Sequence, residues 1–217
     1  MSNTKEQILL TSLELFARDG YEAVPVRQIA AALNITQGAL YRHYRSKRDI
    51  FEHILARMEA QDAAQAIESG VPEGPRGEMP SAYAAAGVGA LVSFSKSMFR
   101  YWARDPFAAP FRRLLTLEQY RSPEMGALYQ QYLGSGPLDY VTDLLASMGV
   151  PHARQEAAAL YAPMFLLWSV LDGGGDHLAV TALADRMLEE AGARLEAVLA
   201  GQGGGDIQVE KQKGLSR

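Results

Sequence analysis

Residues 26–48 read VRQIAAALNITQGALYRHYRSKR, and the fold is decided by how this stretch is parsed. Val26, Ile29, Ala30 and Leu33 are spaced i, i+3, i+4, i+7. That is one face of a short helix over about 26–33, with Pro25 suited to its first turn. Asn34-Ile35 breaks the period. Thr36 is a good N-cap for a second short helix, about Gln37 to Tyr44. Two short helices joined by about three residues have the spacing of a helix-turn-helix. Such a unit packs through a small side chain between its helices, here Ala30, and an aliphatic one in the turn, here Ile35. Leu40 and Tyr44 then face inward. Gln37, Gly38, Tyr41, Arg42 and His43 are left around the outer surface.

Working outward, residues 4–19 form a helix before this unit. Thr4-x-x-Gln7 matches a capping box, and Ile8, Leu9, Leu13, Phe16 and Ala17 share a face. Gly20 ends that helix as a left-handed cap. After the unit, Ser46-x-x-Asp49 is a second capping signature. It opens a longer helix on which Phe51, Ile54, Leu55 and Met58 share a face. Residues 69–80, SGVPEGPRGEMP, read as a loop or domain boundary. Beyond them the period predicts helices near 81–104, 107–119, 123–148, 153–172 and 176–199. The third of these is one helix or two, broken near Gly134-Ser135-Gly136-Pro137. No alternating β-branched run supports a sheet. Residues 201–217 are Gly-rich and then polar, which predicts a mobile tail.

The fold class is therefore all-α, with an N-terminal three-helix helix-turn-helix domain and a larger helical domain. The expected division is 1–48 for the helix-turn-helix domain, 49–68 for a connecting helix, 81–200 for the larger domain and 201–217 for the tail.

Composition fits this. Of 217 residues, 48% are hydrophobic and 21% charged, enough apolar material for a core and too little charge for a disordered chain. There is no cysteine, which excludes a disulfide scaffold and thiol chemistry. No signal peptide or membrane-spanning run is visible, so a soluble cytoplasmic protein without membrane contact is expected. The net charge of −4 argues against nucleic acid only if charge is read in bulk. Locally, Arg42, Arg45, Lys47 and Arg48 fall within 36–48 with no acidic residue among them, and the sign reverses after Asp49.

The outer residues of the third helix suit a major groove. Glutamine pairs with adenine edges and arginine with guanine edges. Gly38 lets the backbone come close, and Tyr and His donate to phosphates. Lys47, in the first turn of the next helix, can join backbone amides in holding a phosphate.

LELFARDG (13–20), Tyr21, VRQIAAAL (26–33) and ITQGALYRHYRSK (35–47) together closely resemble the DNA-binding domain of TetR-family transcriptional regulators. The resemblance covers about residues 5–55, a quarter of the chain. It implies DNA contacts from Arg27, Thr36, Gln37, Gly38, Tyr41, Arg42, His43, Tyr44 and Lys47. It also implies a ligand-released repressor acting on a double-stranded DNA operator. The same fold serves activators and effector-independent regulators. Two departures stand out. The family favours a hydroxyl residue at the start of the second helix, where this chain has Val24-Pro25-Val26. It favours Phe just before the Ser-Lys pair, where this chain has Tyr44-Arg45, so that Arg45 adds a backbone contact.

The larger domain is read physically. Aromatic residues crowd its first half, and several are Tyr, which offers a hydroxyl within an apolar wall. Phe94, Met98, Tyr101, Trp102, Phe111, Tyr129 and Tyr132, with Met164 and Trp168, are the candidate lining of a pocket for a small, mostly apolar organic effector. Arg100, Arg104 and Asp105 are either a charged anchor for it or surface and helix-end residues. Residues 157–171, AAALYAPMFLLWSVL, are apolar nearly all round, which requires burial on more than one side. The family resemblance implies a homodimer through about 153–172 and 176–199.

Enzyme signatures are missing. There is no GxSxG, Walker loop or HExxH, and the four histidines are scattered. Gly173-Gly174-Gly175 has no strand before it and reads as a hinge between helices. No catalytic residue, metal site or cofactor is expected.

Overall fold

The computed structural model describes the backbone of residues 4–68 and 79–213, and side chains within 4–65 and 87–201. The elements are α1 (Thr4–Asp19), α2 (Val26–Ala32), α3 (Gln37–Tyr41), α4 (Lys47–Glu68), α5 (Met79–Arg104), α6 (Ala108–Glu118), α7 (Pro123–Tyr132), α8 (Ser135–Ser147), α9 (Ala153–Asp172) and α10 (His177–Lys213). No strand occurs among the described residues. Most boundaries lie within a residue or two of those the periodicity predicts. The 123–148 segment is two helices, parted at Leu133-Gly134. The 69–80 loop lies, over 69–78, outside the described residues.

Three ends differ from expectation. α3 stops at Tyr41 instead of Tyr44, because the chain tightens there: His43 and Tyr44 N–H both donate to the Leu40 carbonyl, at 2.9 and 3.1 Å. α10 runs to Lys213, through the glycines expected to begin a mobile tail. Helix propagation is cooperative once a packed stretch has nucleated it. α5 is bent at Gly87, whose φ of 78° leaves the helical region.

The chain forms two compact units. The first holds residues up to Glu68 together with 101–135, so α6 and α7 join the helix-turn-helix and do not stay with the rest of 81–200. α6 packs on α1, whose Ile8, Leu9, Leu13 and Phe16 are buried. The contact converges on one elbow. Gly20 has φ +91° and donates its N–H to the Phe16 carbonyl at 2.9 Å, ending α1 in the left-handed region that glycine favours. Tyr21 N–H then donates to the carboxylate of Glu118, a buried residue of α6, at 3.1 Å. On the other side, Lys47 Nζ donates to the Tyr21 carbonyl at 2.9 Å and lies 4.4 Å from the centroid of the Tyr21 ring. The elbow thus ties α1, α4 and α6 together.

The second unit holds residues up to Arg100 of α5, together with 136–217. Phe99 and Trp168 stack with centroids 6.0 Å apart, and Trp168 Nε1 donates to the Phe99 carbonyl at 3.3 Å. α10 meets α5 at Gly192, where an added Cβ would lie 2.5 Å from Val92 Cγ2. Arg100–Asp185 at 2.5 Å and Lys96–Glu189 at 2.6 Å tie the same two helices. The 173–175 glycines close α9 in a Schellman turn, with Gly175 N–H donating to Val170 O at 2.9 Å and Gly174 at φ +88°. They are a hinge.

At Gly20 an added Cβ would stand 2.8 Å from Glu118 Oε1, on a backbone that L residues avoid. Gly20→Ala is expected to destabilise the protein by about 1–3 kcal/mol. Urea unfolding checks this; an unchanged midpoint would contradict the elbow's role.

Candidate nucleic-acid interface

The helix-turn-helix is assembled by local chemistry. α2 ends in a Schellman turn in which Asn34, at φ 54°, takes the left-handed position usually given to glycine. Asn34 N–H donates to Ala31 O at 3.1 Å and Ile35 N–H to Ala30 O at 3.0 Å. Thr36 follows as the N-cap of α3, its Oγ1 accepting from Ala39 N–H at 3.1 Å. α4 is capped reciprocally. Ser46 Oγ accepts from Asp49 N–H at 3.0 Å, and Asp49 Oδ2 accepts from Arg45 N–H at 2.7 Å. Ile29, Ala30 and Leu40 are buried between the helices, and Ile35 is half-buried in the turn.

This packing sorts the expected contact residues. Arg27, Thr36, Gln37, Gly38, Tyr41, Arg42, His43 and Arg45 are exposed. Tyr41 is 47% exposed, unusual for so large a ring in a small domain. Arg27, Arg42 and Arg45 have no carboxylate within ion-pair distance among the described residues. An added Cβ at Gly38 would meet nothing closer than Thr36 Oγ1 at 3.9 Å. Gly38 is not demanded by the protein's own packing.

Two residues of the expected set are committed inward. Tyr44 is a core residue, 2% exposed, with its hydroxyl donating to the Lys5 carbonyl at 3.1 Å and its ring edge-on to His53. Burial, and secondarily the Asp49 charge, push its phenol up to about 12. Its ring is not available to DNA, which corrects its place among the contacts. The Lys47 ammonium is held by the Tyr21 carbonyl and, at 3.5 Å, by Glu22. Its first task is to fix the elbow. Arg48 is likewise engaged, by Glu52 at 3.0 Å and Glu124 at 2.6 Å. At Val24-Pro25-Val26 the departure from the family is structural. Val24 is fully buried, and α2 begins without a side-chain cap.

The candidate effector residues fall into two groups. Tyr101, Trp102, Phe111 and Tyr132 are buried and Tyr129 half-buried in the first unit. Phe94, Met98, Met164 and Trp168 belong to the second. There Met164 also lines a groove of about 140 Å³ along α9 and α10. Arg100 and Asp105 take the alternative reading. Arg100 pairs with Asp185, and Asp105 caps α6 by accepting from Phe107 and Ala108 N–H, both at 2.8 Å.

Sequence reasoning missed Asp62 and Glu118. Asp62 continues the apolar face of α4, four residues after Met58. A carboxylate at that register was the available signal. Burial alone pushes it up to about 7. Glu118 carried no signal, because its partner Tyr21 is distant in sequence.

The fold and the outward set define a helix-turn-helix DNA-binding domain on an all-helical chain. Comparison with known proteins agrees. Residues 8–54 match the family described as bacterial regulatory proteins, tetR family. An uncharacterized HTH-type transcriptional regulator of Bacillus subtilis (strain 168), YerO, is 43% identical over 47 residues, 22% of this chain and 16% of its own. The HTH-type transcriptional repressor AcnR of Corynebacterium glutamicum is 34% identical over 85 residues, 38% of this chain and 45% of its own. The matched stretches thus span under half the length of these relatives. A TetR-like transcriptional regulator from Rhodococcus sp. RHA1 superposes with a TM-score of 0.61 at 17% identity, covering 88% of this chain and 94% of that one. At that identity the likeness is one of fold. Residues 8–54 thus match the DNA-binding domain of the tetR family, and the likeness of the rest of the chain is one of fold.

Two predictions follow from the packing. Gly38→Ala is expected to leave the melting temperature unchanged or raised, since Ala is the better helix former. It is expected to weaken DNA binding about tenfold, roughly 1.4 kcal/mol. Differential scanning fluorimetry and anisotropy on one preparation check both. For Asp62 the folded-state value lies above the ordinary 3.8, so the ionised form is disfavoured by folding. Its stability contribution is intact below the ordinary carboxylate range and is lost as pH rises through about 7. Asp62→Asn is therefore expected to raise the melting temperature at pH 8 and to change it little at pH 4, read by thermal unfolding across pH.

Proposed function

We propose that the protein is a transcriptional repressor that binds a near-palindromic operator as a homodimer and releases it when a small organic effector binds. The carrying observation is the outward set of α3. Gln37, Gly38, Tyr41 and Arg42 stand exposed on a short, well-capped helix, flanked by arginines that have no ion-pair partner among the described residues. Gln37 and Arg42 are proposed to read base edges. Thr36, Tyr41, His43, Arg27 and Arg45 are proposed to hold phosphates. Lys47 orients the elbow and adds to the local positive potential.

The dimer reading is supported by α9 and α10. Their inner faces are filled, yet Leu166 is 66% exposed, Val170 42%, Leu178 78% and Leu183 40%. Such apolar exposure on two adjoining helices suits a self-complementary interface. Two-fold symmetry then places two α3 helices on half-sites about 34–36 Å apart. Among the described residues, no helix is long and apolar enough to cross a membrane.

Selection of binding sites from genomic or random DNA tests the function; the expected product is a near-palindrome. On that operator, Arg42→Ala is expected to relax base preference at one position per half-site and to cost about 1–3 kcal/mol. Arg45→Ala is expected to weaken all sequences alike and to reduce the salt dependence. Selection that yields no enriched sequence would overturn the reading. Leu166→Glu with Val170→Glu is expected to give monomers by sedimentation and to lower operator affinity.

A further inference from the structure

Among the described residues of the first unit, three buried side-chain polar atoms make no hydrogen bond: Ser12 Oγ on α1, and an oxygen each on Asp62 and Tyr101. Asp62 Oδ1, on α4, is buried and makes no hydrogen bond. Tyr101, near the end of α5, is 9% exposed, and its buried hydroxyl also has no partner. The two groups are in electrostatic contact. The charge of Asp62 reaches the Tyr101 phenol and also that of Tyr132 on α7. Beside them runs a line of rings. Tyr101 meets Trp102 at 5.6 Å, Trp102 meets Phe111 at 6.5 Å, and Phe111 meets Tyr132 at 5.1 Å.

Buried polar atoms in native proteins are nearly always paired, and leaving one unpaired costs stability. A buried carboxylate without a countercharge is rarer still. Among the described residues no cation pairs with Asp62, and burial is what shifts it. Arg57, on the same helix, is committed to Glu6 and lies over the Phe107 ring. Besides Asp62, the carboxylates that act on the two phenols are Asp105 on Tyr101 and Glu59 on Tyr132. A wholly apolar ligand would leave both unpaired oxygens as they are. A cation supplies what each lacks, and the faces of the neighbouring rings attract the same charge.

We infer that Asp62 and Tyr101 form the polar end of the effector site, and that the effector is an organic cation with an apolar or aromatic body. This rests on the effector-released reading above and narrows it. The carboxylate neutralises the cationic head, the Tyr101 oxygen accepts from it or lies against it, and the Trp102 and Phe111 rings enclose the body.

The test compares benzyltrimethylammonium with its uncharged isostere neopentylbenzene, by calorimetry on the full-length protein at pH 7.5. The cation is expected to bind at least about tenfold more tightly than the isostere. Asp62→Asn is expected to abolish that preference while leaving the isostere's affinity unchanged, and Tyr101→Phe to reduce it. Circular dichroism on the variants confirms that they fold, and Asp62→Asn is expected to be at least as stable as the parent. Equal binding of both probes, no binding of either, or a preference that survives Asp62→Asn would each overturn the inference. Operator binding by the parent protein, measured in parallel, separates the two readings. Intact operator binding without a cation preference sinks the site alone. A cation preference that needs Asp62 upholds the site even if no operator is found.

Discussion

The first unit depends on how the backbone of Tyr21 is held. Its N–H is taken by a buried carboxylate from α6 and its carbonyl by an ammonium from the start of α4. Gly20 makes this possible by turning the chain into the left-handed region without a Cβ in the way of Glu118. One peptide segment thereby fixes where α1 ends, where α4 begins and where α6 lies. Charge-assisted bonds to a backbone group, with one partner buried, are among the stronger polar contacts a small domain can make.

The elbow also explains why Lys47 and Tyr44 fill roles different from their exposed neighbours. Lys47 sits where its amine meets the carbonyl end of α1, a place that favours a cation through the helix dipole. Tyr44 closes the base of the domain through Lys5 and His53. With these two residues committed to the domain, Gln37, Gly38, Tyr41 and Arg42 remain as the proposed groove-facing set, and Arg27, Arg42 and Arg45 as exposed arginines without an ion-pair partner among the described residues. A chain of net charge −4 can in this way carry a local cationic face.

Much of this was legible in the sequence because it is local. The Gly20 stop, the Thr36 cap, the Ser46–Asp49 cap and the Gly173–Gly175 hinge are short-range signals, and each stands where its residue type predicts. The Asn34 turn was visible as a break, and its left-handed geometry is what asparagine tolerates. The end of α3 was misjudged because Tyr44 keeps the apolar period after the helix has tightened into a turn. Glu118, Arg100 and Arg57 were illegible because their partners come from distant helices. The effector residues were gathered by composition alone, which does not resolve the two compact units. Asp62 was legible in principle, as a carboxylate on an apolar register. Such a departure from pattern is where function is to be sought.

We propose that α3 is the surface that meets DNA. A crystal structure of the protein on its selected operator tests this most directly. One α3 is expected in each of two successive major grooves, with Gln37 and Arg42 on base edges, the Gly38 backbone against the DNA and the Tyr21 clamp unbroken. DNA seated on another face, with α3 open to solvent, would contradict it.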